Sequence, residues 1–397
     1  MLSAKGRRRP AAPVSPRRLS ECSFAIVSNG FADGNAPALR DYLVRERAGS
    51  VTTIAHPLSG EDGGRHEIRR WEHGRFATSL KLRLPSRPPL TYPLDLLAPL
   101  LPPRVDAWMG FNALACGQGL AARAAGRAGV VAYWCVDYVD NRFGRNPLTW
   151  LFERADSFCC RHADARFEVS EAALEARTAR HGGDSTRLAP ASVVPIGAWL
   201  DRVPRTDQDS FRRQRAVYLG HLVPRQGVRV LLDAVALLRR RGVDVDAAVI
   251  GRGPLEAELR AQAANLEIEE AVTFHGFVKD HRDVERILAA STVAVAPYDT
   301  AAESFTRFAD PGKLKAYLGA GLPILLTAVP PNARELAEAG GAEIVPFAAE
   351  AFAGSLQRLL GDEPEWRRRR EAALEHARQY DWGRIFPPAL ASLGFVP

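Results

Sequence analysis

The chain has 397 residues, 46% of them hydrophobic and 25% charged, which places it among ordinary globular proteins and makes two domains the expectation. Its net charge of +7 does not indicate a nucleic-acid-binding core, because residues 1–18 carry +6 (Lys5, Arg7, Arg8, Arg9, Arg17, Arg18) and no acid, leaving +1. No nucleic-acid partner is therefore expected.

The first 20 residues are Pro-rich and basic and read as a disordered tail, solvated or resting on anionic lipid. A strand follows at SFAIVS (Ser23–Ser28). The loop NGFADGNAP holds Asn29, Gly30 and Gly34, where backbone can approach a ligand, and a helix begins near Pro37. VTTIA (Val51–Ala55) reads as a second strand. LTYPLDLLAPLLPP (Leu90–Pro103) is apolar but broken by proline, and reads either as buried packing or as a surface that meets a membrane. ALACGQGLAARAAGR is helical and VVAYWCV (Val130–Val136) a strand, with Asp137 and Asp140 just beyond it. LTWLFERADSFCCRHA is an amphipathic helix and ARFEVS another strand. Alternation of this kind favours a parallel sheet covered by helices.

Val193–Ser210 turns to Pro, Gly and polar residues and reads as the interdomain linker. Beyond it, strands at AVYLG, VDAAVIG, AVTFHG, TVAVAPY, PILLT and AEIVPF alternate with helices until about Tyr380. The expected fold is therefore α/β, with two doubly wound domains facing a cleft. The boundaries are a tail over 1–20, domains over 21–200 and 201–380, and a return segment over 381–397. Ligands in such sheets sit beyond the carboxyl ends of the strands.

The stretch FADPGKLKAYLGAGLPILLT (Phe308–Thr327) combines Asp310 as a helix N-cap, Pro311 at the first position, and Gly319 or Gly321 as a stop. Gly312 and Lys313 then fall in the first turn, where backbone N–H groups and the helix dipole favour an anion. The turn from Gly220 to Gly227, and IGRGP with Gly251 and Gly253, offer further backbone at strand ends. The five cysteines (Cys22, Cys116, Cys135, Cys159, Cys160) lack CxxC spacing and fit a reducing cytosol; no metal is expected. No apolar run is long enough for a transmembrane helix, and no signal peptide is seen, so the expected location is cytoplasmic, with possible rest on the inner membrane face.

Taken in order, these motifs resemble a glycosyltransferase of the two-Rossmann-domain (GT-B) type, close to family 4 (glycosyl transferases group 1). YLGHLVPRQGVRVLLDA resembles that family's glycine turn, VIGRGPLEAEL its second-strand motif, and VTFHGFV, with Phe277 and Val278, the segment beside the nucleotide base. APYDTAAESFTRFADPGKLKAYLGAGLPILLT resembles the donor-site loop and helix, Val193–Gly197 the linker, and YDWGRI (Tyr380–Ile385) the entry to a helix crossing back to the first domain. The Asp-Pro-Gly-Lys variant and YWCVDYVDNRF also resemble the branch of membrane-associated glucuronosyltransferases of exopolysaccharide assembly, where an aspartate at the position of Asp137 acts as base. The resemblance implies a hexosyltransferase acting on a nucleotide sugar, UDP-linked, as substrate and not cofactor, and on a glycan or lipid-linked acceptor. It is expected to be a monomer or weak oligomer.

Within this frame Lys313, Gly312, Asp310, Gly220, His221, Arg225, Gly251, Gly253, Phe277, Val278 and Glu303 are the donor-side candidates, with Asp310 expected to hold the turn. Asp137 is the candidate base, set against roles as an N-cap or as a partner of Arg142. A base implies inversion; without one, retention. The sequence also departs from the family pattern. His221 stands where arginine is usual and Gln226 where lysine is usual, with Arg225 between them to supply a cation. Ala316 replaces the glutamate that would bond the ribose. These departures keep open a non-catalytic relative and a sugar-nucleotide 2-epimerase. His162, His181 and His275 share no spacing and read as structural.

Overall fold

A computed structural model describes residues 16–29, 34–56, 65–83, 102–139, 144, 146–301 and 305–397. The first sheet holds eight strands: β2 (Ser23–Asn29), β3 (Ser50–His56), β4 (Arg65–Glu72), β5 (Arg75–Arg83), β6 (Val105–Gly110), β7 (Ala128–Cys135), β8 (Ala165–Glu168) and β9 (Ala191–Val193). Their order is β5-β4-β3-β2-β6-β7-β8-β9. The strands from β3 to β9 in that order pair in parallel, while β3–β4 and β4–β5 are antiparallel. This hairpin corrects the all-parallel expectation. It closes through His73 and Gly74, both at positive φ (45° and 81°), as a two-residue hairpin turn requires. Its strands are rich in arginine and β5 is mostly exposed, so they lack the apolar run that marks a buried strand.

The second sheet has six strands, all parallel: β10 (Arg215–Leu219), β11 (Asp246–Ile250), β12 (Val272–Gly276), β13 (Val293–Ala296), β14 (Ile324–Leu326) and β15 (Ala342–Ile344), in the order β12-β11-β10-β13-β14-β15. Its central strands are buried on both faces, Ala216, Val217, Ala294 and Val295 among them, which is why they read as short continuous apolar runs.

The chain crosses between the sheets twice, and the crossings run side by side. Ala198 N donates to Tyr380 O at 2.8 Å and Trp382 N to Ala198 O at 3.1 Å. Asp381 caps the helix Trp382–Ala391 through Gly383 N (2.8 Å) and also accepts from Leu200 N (3.2 Å). Phe386 of that helix packs on Tyr42 (ring centroids 5.5 Å apart) and Trp134 (6.1 Å), so the expected return to the first domain is present. One apolar cluster runs from Phe24 and Trp134 through Phe386 and Trp382 to Leu314 and Leu326, coupling the domains through a shared core. β16 (Phe395–Val396) then pairs in parallel with β1 (Arg17–Arg18). The tail read as disordered to residue 20 is thus corrected at its end: Arg17–Arg18 form a strand, and Leu19 is fully buried. Residues 1–15 and Leu90–Leu101 lie outside the described residues.

Candidate functional site

The carboxyl ends of β10 and β11 meet backbone to backbone. Gly220 N donates to Ile250 O (2.9 Å), and Leu222 N to Arg252 O (3.0 Å). Gly251 sits at φ +135°, where a Cβ would lie 1.9 Å from Gly220 O, so a side chain there would force the strand ends apart. Gly253 lies against Leu222 in the same way, with Leu222 O 2.4 Å from where a Cβ would stand.

Opposite this turn, the helix Gly312–Ala320 begins after Pro311, and no side chain caps its first turn. Among the described residues, its N-terminal N–H groups therefore have no side-chain cap. The helix ends at Gly321, which is left-handed at φ 75°. Asp310 is a correction, since it is not the N-cap. Its Oδ2 accepts from Ile196 N in the linker (2.7 Å), and its Oδ1 is ion-paired with the buried Lys315. Lys315 Nζ in turn lies 4.5 Å from the centroid of the Tyr380 ring. Asp310 thus clamps the helix to the linker and the return segment, which is the turn-holding role expected of it by a different bond.

Lys313 is enclosed. Its ammonium lies 4.4 Å from the Tyr218 ring centroid and 4.7 Å from that of Tyr298, and it donates to Gln226 Oε1 at 2.5 Å. Among the described residues no carboxylate pairs with it. Burial lowers its pKa to about 7. Gly220 completes the enclosure, because a Cβ there would stand 3.1 Å from Lys313 Nζ. Tyr218 donates to His221 O (2.8 Å), and Tyr317 accepts from Leu219 N (2.7 Å). Burial raises the Tyr218, Tyr298 and Tyr317 hydroxyls, so the cage stays neutral. The side chain of His221 is exposed. Arg225 is half-buried and its carbonyl holds Asp299 N (3.0 Å).

The segment expected to stand beside the nucleotide base lies just past β12. Phe277 is 63% exposed with the Arg252 guanidinium 4.8 Å from its ring centroid, and Val278 packs against the core. Phe277 therefore offers an open aromatic face beside the glycine turn.

Across the cleft, Asn29, Asn112 and Asp137 line one cavity of about 170 Å³ at the carboxyl ends of β2, β6 and β7. Asn112 caps the helix Ala113–Ala124 through Ala115 N (2.8 Å) and donates to Asn29 Oδ1 (2.6 Å). Asp137 is anchored by its backbone: Arg177 donates to its carbonyl at 2.8 Å. Arg177 is itself buried and paired with Glu168 (2.9 Å) and Asp156, and Arg166 reaches Glu168 at 3.2 Å. Burial alone would raise the Asp156 carboxyl, but His181, Arg177 and Tyr133 together hold it below its ordinary value. Burial raises Glu168.

Asp156, Cys160 and His181 bring ligand atoms within 4.8 Å of one another. Asp156 already carries Arg177 and Tyr133, so a cation at that point would stand against a guanidinium. The cysteines are all buried and unbridged.

The two halves meet beside Asp137. Tyr138 packs on Phe308, just before the helix Gly312–Ala320 (ring centroids 5.0 Å), and Ser170 donates to Phe308 O (2.6 Å). A wider cleft of about 400 Å³ joins Gly34 and Arg40 of the first domain to Gly312 and Ala316 of the second. Ala316 borders this opening, and the buried Glu285, paired with His281 (3.0 Å) and Arg202 (3.6 Å), lines it too. Gly30, Asp140, Arg142 and Glu303 lie outside the described residues. Sequence reading did not find the tyrosine cage, Lys315 or the Arg177 network. The tyrosines and Lys315 leave only an aromatic or basic residue inside an apolar run, and Arg177 lies in the charged helix Glu171–Arg180, where nothing marks it out.

With this geometry in view, residues 213–362 match the family model for glycosyl transferases group 1. A GDP-mannose-dependent alpha-(1-6)-phosphatidylinositol dimannoside mannosyltransferase of Mycobacterium tuberculosis is 31% identical over 224 residues, covering 54% of this chain and 55% of that protein. An alpha-D-kanosaminyltransferase of Streptomyces kanamyceticus is 26% identical over 247 residues, 58% of this chain and 61% of that one. The chain thus matches these curated relatives over roughly half their length. Over the whole fold it is similar to sucrose-phosphate synthase from Thermosynechococcus elongatus (17% identity, TM-score 0.69, 94% of this chain and 98% of that one). Anabaena HepE in complex with UDP and glucose is similar too (18% identity, TM-score 0.66, 94% and 99%). The fold is GT-B. Among the described residues, no helix is long and apolar enough to cross a membrane.

Proposed function

We propose that this chain, whose second domain carries the glycosyl transferases group 1 signature, moves a sugar from a nucleoside-diphosphate donor, UDP-linked, onto a hydroxyl of a glycan or lipid-linked acceptor, working at the inner face of a membrane without a metal. The observation that carries this reading is Lys313. It is a buried cation with aromatic and amide neighbours and no carboxylate among the described residues, beside an uncapped helix start and the Gly220 turn. That arrangement is complete only when an anion arrives. A departing diphosphate develops charge where the Lys313 ammonium and the Gly312 turn can meet it. Phe277 is the face for the base. On the acceptor side Asp137 is the base that takes the hydroxyl proton, which implies a single displacement with inversion.

A guanine nucleotide is the second reading, favoured by the GDP-mannose-dependent relative. The test is a thermal-shift screen of UDP, GDP, ADP, TDP and CMP on wild type and Lys313→Ala. A ligand well above its dissociation constant stabilises the fold by about 3 kcal/mol. A shift with UDP that Lys313→Ala removes supports the proposal, and a shift with GDP alone replaces the base. No shift with any nucleotide sinks the donor site and leaves a non-catalytic relative.

A further inference from the structure

The helix His281–Ala289 turns Val284, Glu285 and Leu288 inward, at the spacing of one buried face. Two of these are apolar, but Glu285 is a carboxylate and only 3% exposed. A carboxylate so deeply placed is normally held by several donors. Here both neighbours approach the same oxygen. His281 Nδ1 lies 3.0 Å from Oε1, and Arg202 Nε lies 3.6 Å from that atom, too far for a hydrogen bond. Among the described residues Oε2 has no donor, and the side chain lines the cleft of about 400 Å³ between the domains.

That cleft has the volume of a small-ligand pocket. Its wall also includes Gly312 and Ala316, one helical turn (about 6 Å) apart. Ala316 brings no polar side chain to the opening, and the other acid on the wall, Asp41, is paired with Arg40 (2.7 Å). The helices His281–Ala289 and Gly312–Ala320 pack on one another. Phe277 stands four residues before the first of them, and Gly312 and Lys313 open the second. A ligand with its base on Phe277 and its diphosphate at Gly312 and Lys313 carries its ribose across the wall between the two helix starts. A carboxylate on that wall repels phosphate and has no proton to give; what it offers is acceptance from hydroxyl groups.

We propose that Glu285 is a specificity-determining residue, its Oε2 accepting from the vicinal hydroxyls of the donor's ribose, so that the site takes ribonucleotides in preference to their deoxy forms. A site built to hydrogen-bond a hydroxyl rejects the analogue that lacks it, because the buried acceptor is then left unmet. The assignment rests on the transferase reading.

The test measures, by calorimetry on the full chain, the dissociation constants of UDP and GDP and of their 2′-deoxy and 3′-deoxy forms. Wild type is compared with Glu285→Met, which fills the space without an acceptor, and with His281→Gln, which alters the contact to Oε1 alone. Wild type should prefer a ribonucleotide over at least one deoxy form by about ten- to a hundredfold. Glu285→Met should lose that preference by weakening the ribonucleotide only, while His281→Gln keeps it. Should Glu285→Met not fold, Glu285→Asp draws the carboxylate back while keeping its charge, and should narrow the preference. Three results overturn the inference: ribo and deoxy forms bound alike by wild type; a preference that survives in the Glu285 variants; or equal weakening of both forms by Glu285→Met, which makes the residue structural. Failure of every nucleotide to bind wild type sinks the donor reading and this inference with it, and is a different observation from binding without discrimination.

Discussion

Two buried cations sit on opposite sides of the cleft, and they are solved in opposite ways. Arg177 is neutralised from within: Asp156 and Glu168 pair with it, and what remains of its hydrogen-bonding capacity holds the Asp137 carbonyl. Lys313 is given two tyrosine faces and an amide instead, and burial lowers it to about 7. A cation whose counter-charges belong to the fold is structural. One to which, among the described residues, the fold supplies no counter-charge costs stability until an anion binds, which is what the proposed donor site requires of Lys313. On the proposed function, the side that holds Asp137 is therefore pre-assembled, while the side that holds Lys313 is completed on binding.

The largest expected effect breaks this contrast at the chemistry. Asp137→Asn should lower kcat by about a hundred- to ten-thousand-fold while leaving the melting temperature and the nucleotide-induced shift unchanged, because only proton acceptance is removed. A product of retained anomeric configuration, read by NMR, together with near-normal turnover in that variant, would remove Asp137 as base.

Arg177→Met attacks the other half of the contrast. It leaves Asp156 and Glu168 buried and uncompensated, and should cost about 3–5 kcal/mol in a denaturant melt. Asp156→Asn in the same melt should cost less, since Glu168 still holds Arg177. If Arg177→Met instead keeps its stability and loses turnover alone, the network is catalytic and the comparison above is wrong.

Lys313→Met should do the reverse of Arg177→Met. The free fold should be no less stable below pH 7, where a buried ammonium is removed, yet transfer should fall about a hundred- to a thousandfold through loss of a charge that meets the leaving diphosphate. Destabilisation without loss of nucleotide binding would show that the cage serves packing.

The placement of the proposed donor-side residues was legible in the sequence because the elements that carry them are local. Gly220, Gly251, Gly312 and Lys313 each sit at a strand end or a helix start, so short-range rules find them. Asp310 shows the limit: its residue type and position suit a cap, but the linker amide of Ile196 and the buried Lys315 are stronger claimants than its own helix. Tyr218 and Tyr298 looked like core because they are core, and only the fold turns their faces toward Lys313. Arg177 is drawn together with Asp156 and Glu168 from three separate elements, and no spacing announces that. The β4–β5 hairpin was missed for a different reason: its charged, exposed alternation carries no apolar run.

The smallest effect per unit is the most specific to the cage. Lys313 has a lower pKa in the fold than the ordinary 10.5, so between pH about 7 and 10.5 the native state binds fewer protons than the unfolded chain. Its contribution therefore makes the free protein gain stability as pH rises through that window, and the gain is absent below about pH 7. Tyr218 and Tyr298 oppose it only towards pH 10, where the unfolded hydroxyls begin to ionise while burial keeps the folded ones protonated, so the gain is cleanest between about pH 7 and 9. A bound diphosphate favours the ammonium and must draw a proton in with it. Nucleotide affinity should then fall by up to about tenfold per pH unit above pH 7, near 1.4 kcal/mol each. Calorimetry in buffers of different ionisation enthalpy should report uptake of up to one proton on binding near pH 8, absent where a Lys313→Arg variant still binds. Affinity that stays level from pH 7 to 9 would mean that Lys313 is already charged before the nucleotide arrives, and that the site is as pre-assembled as the one facing it.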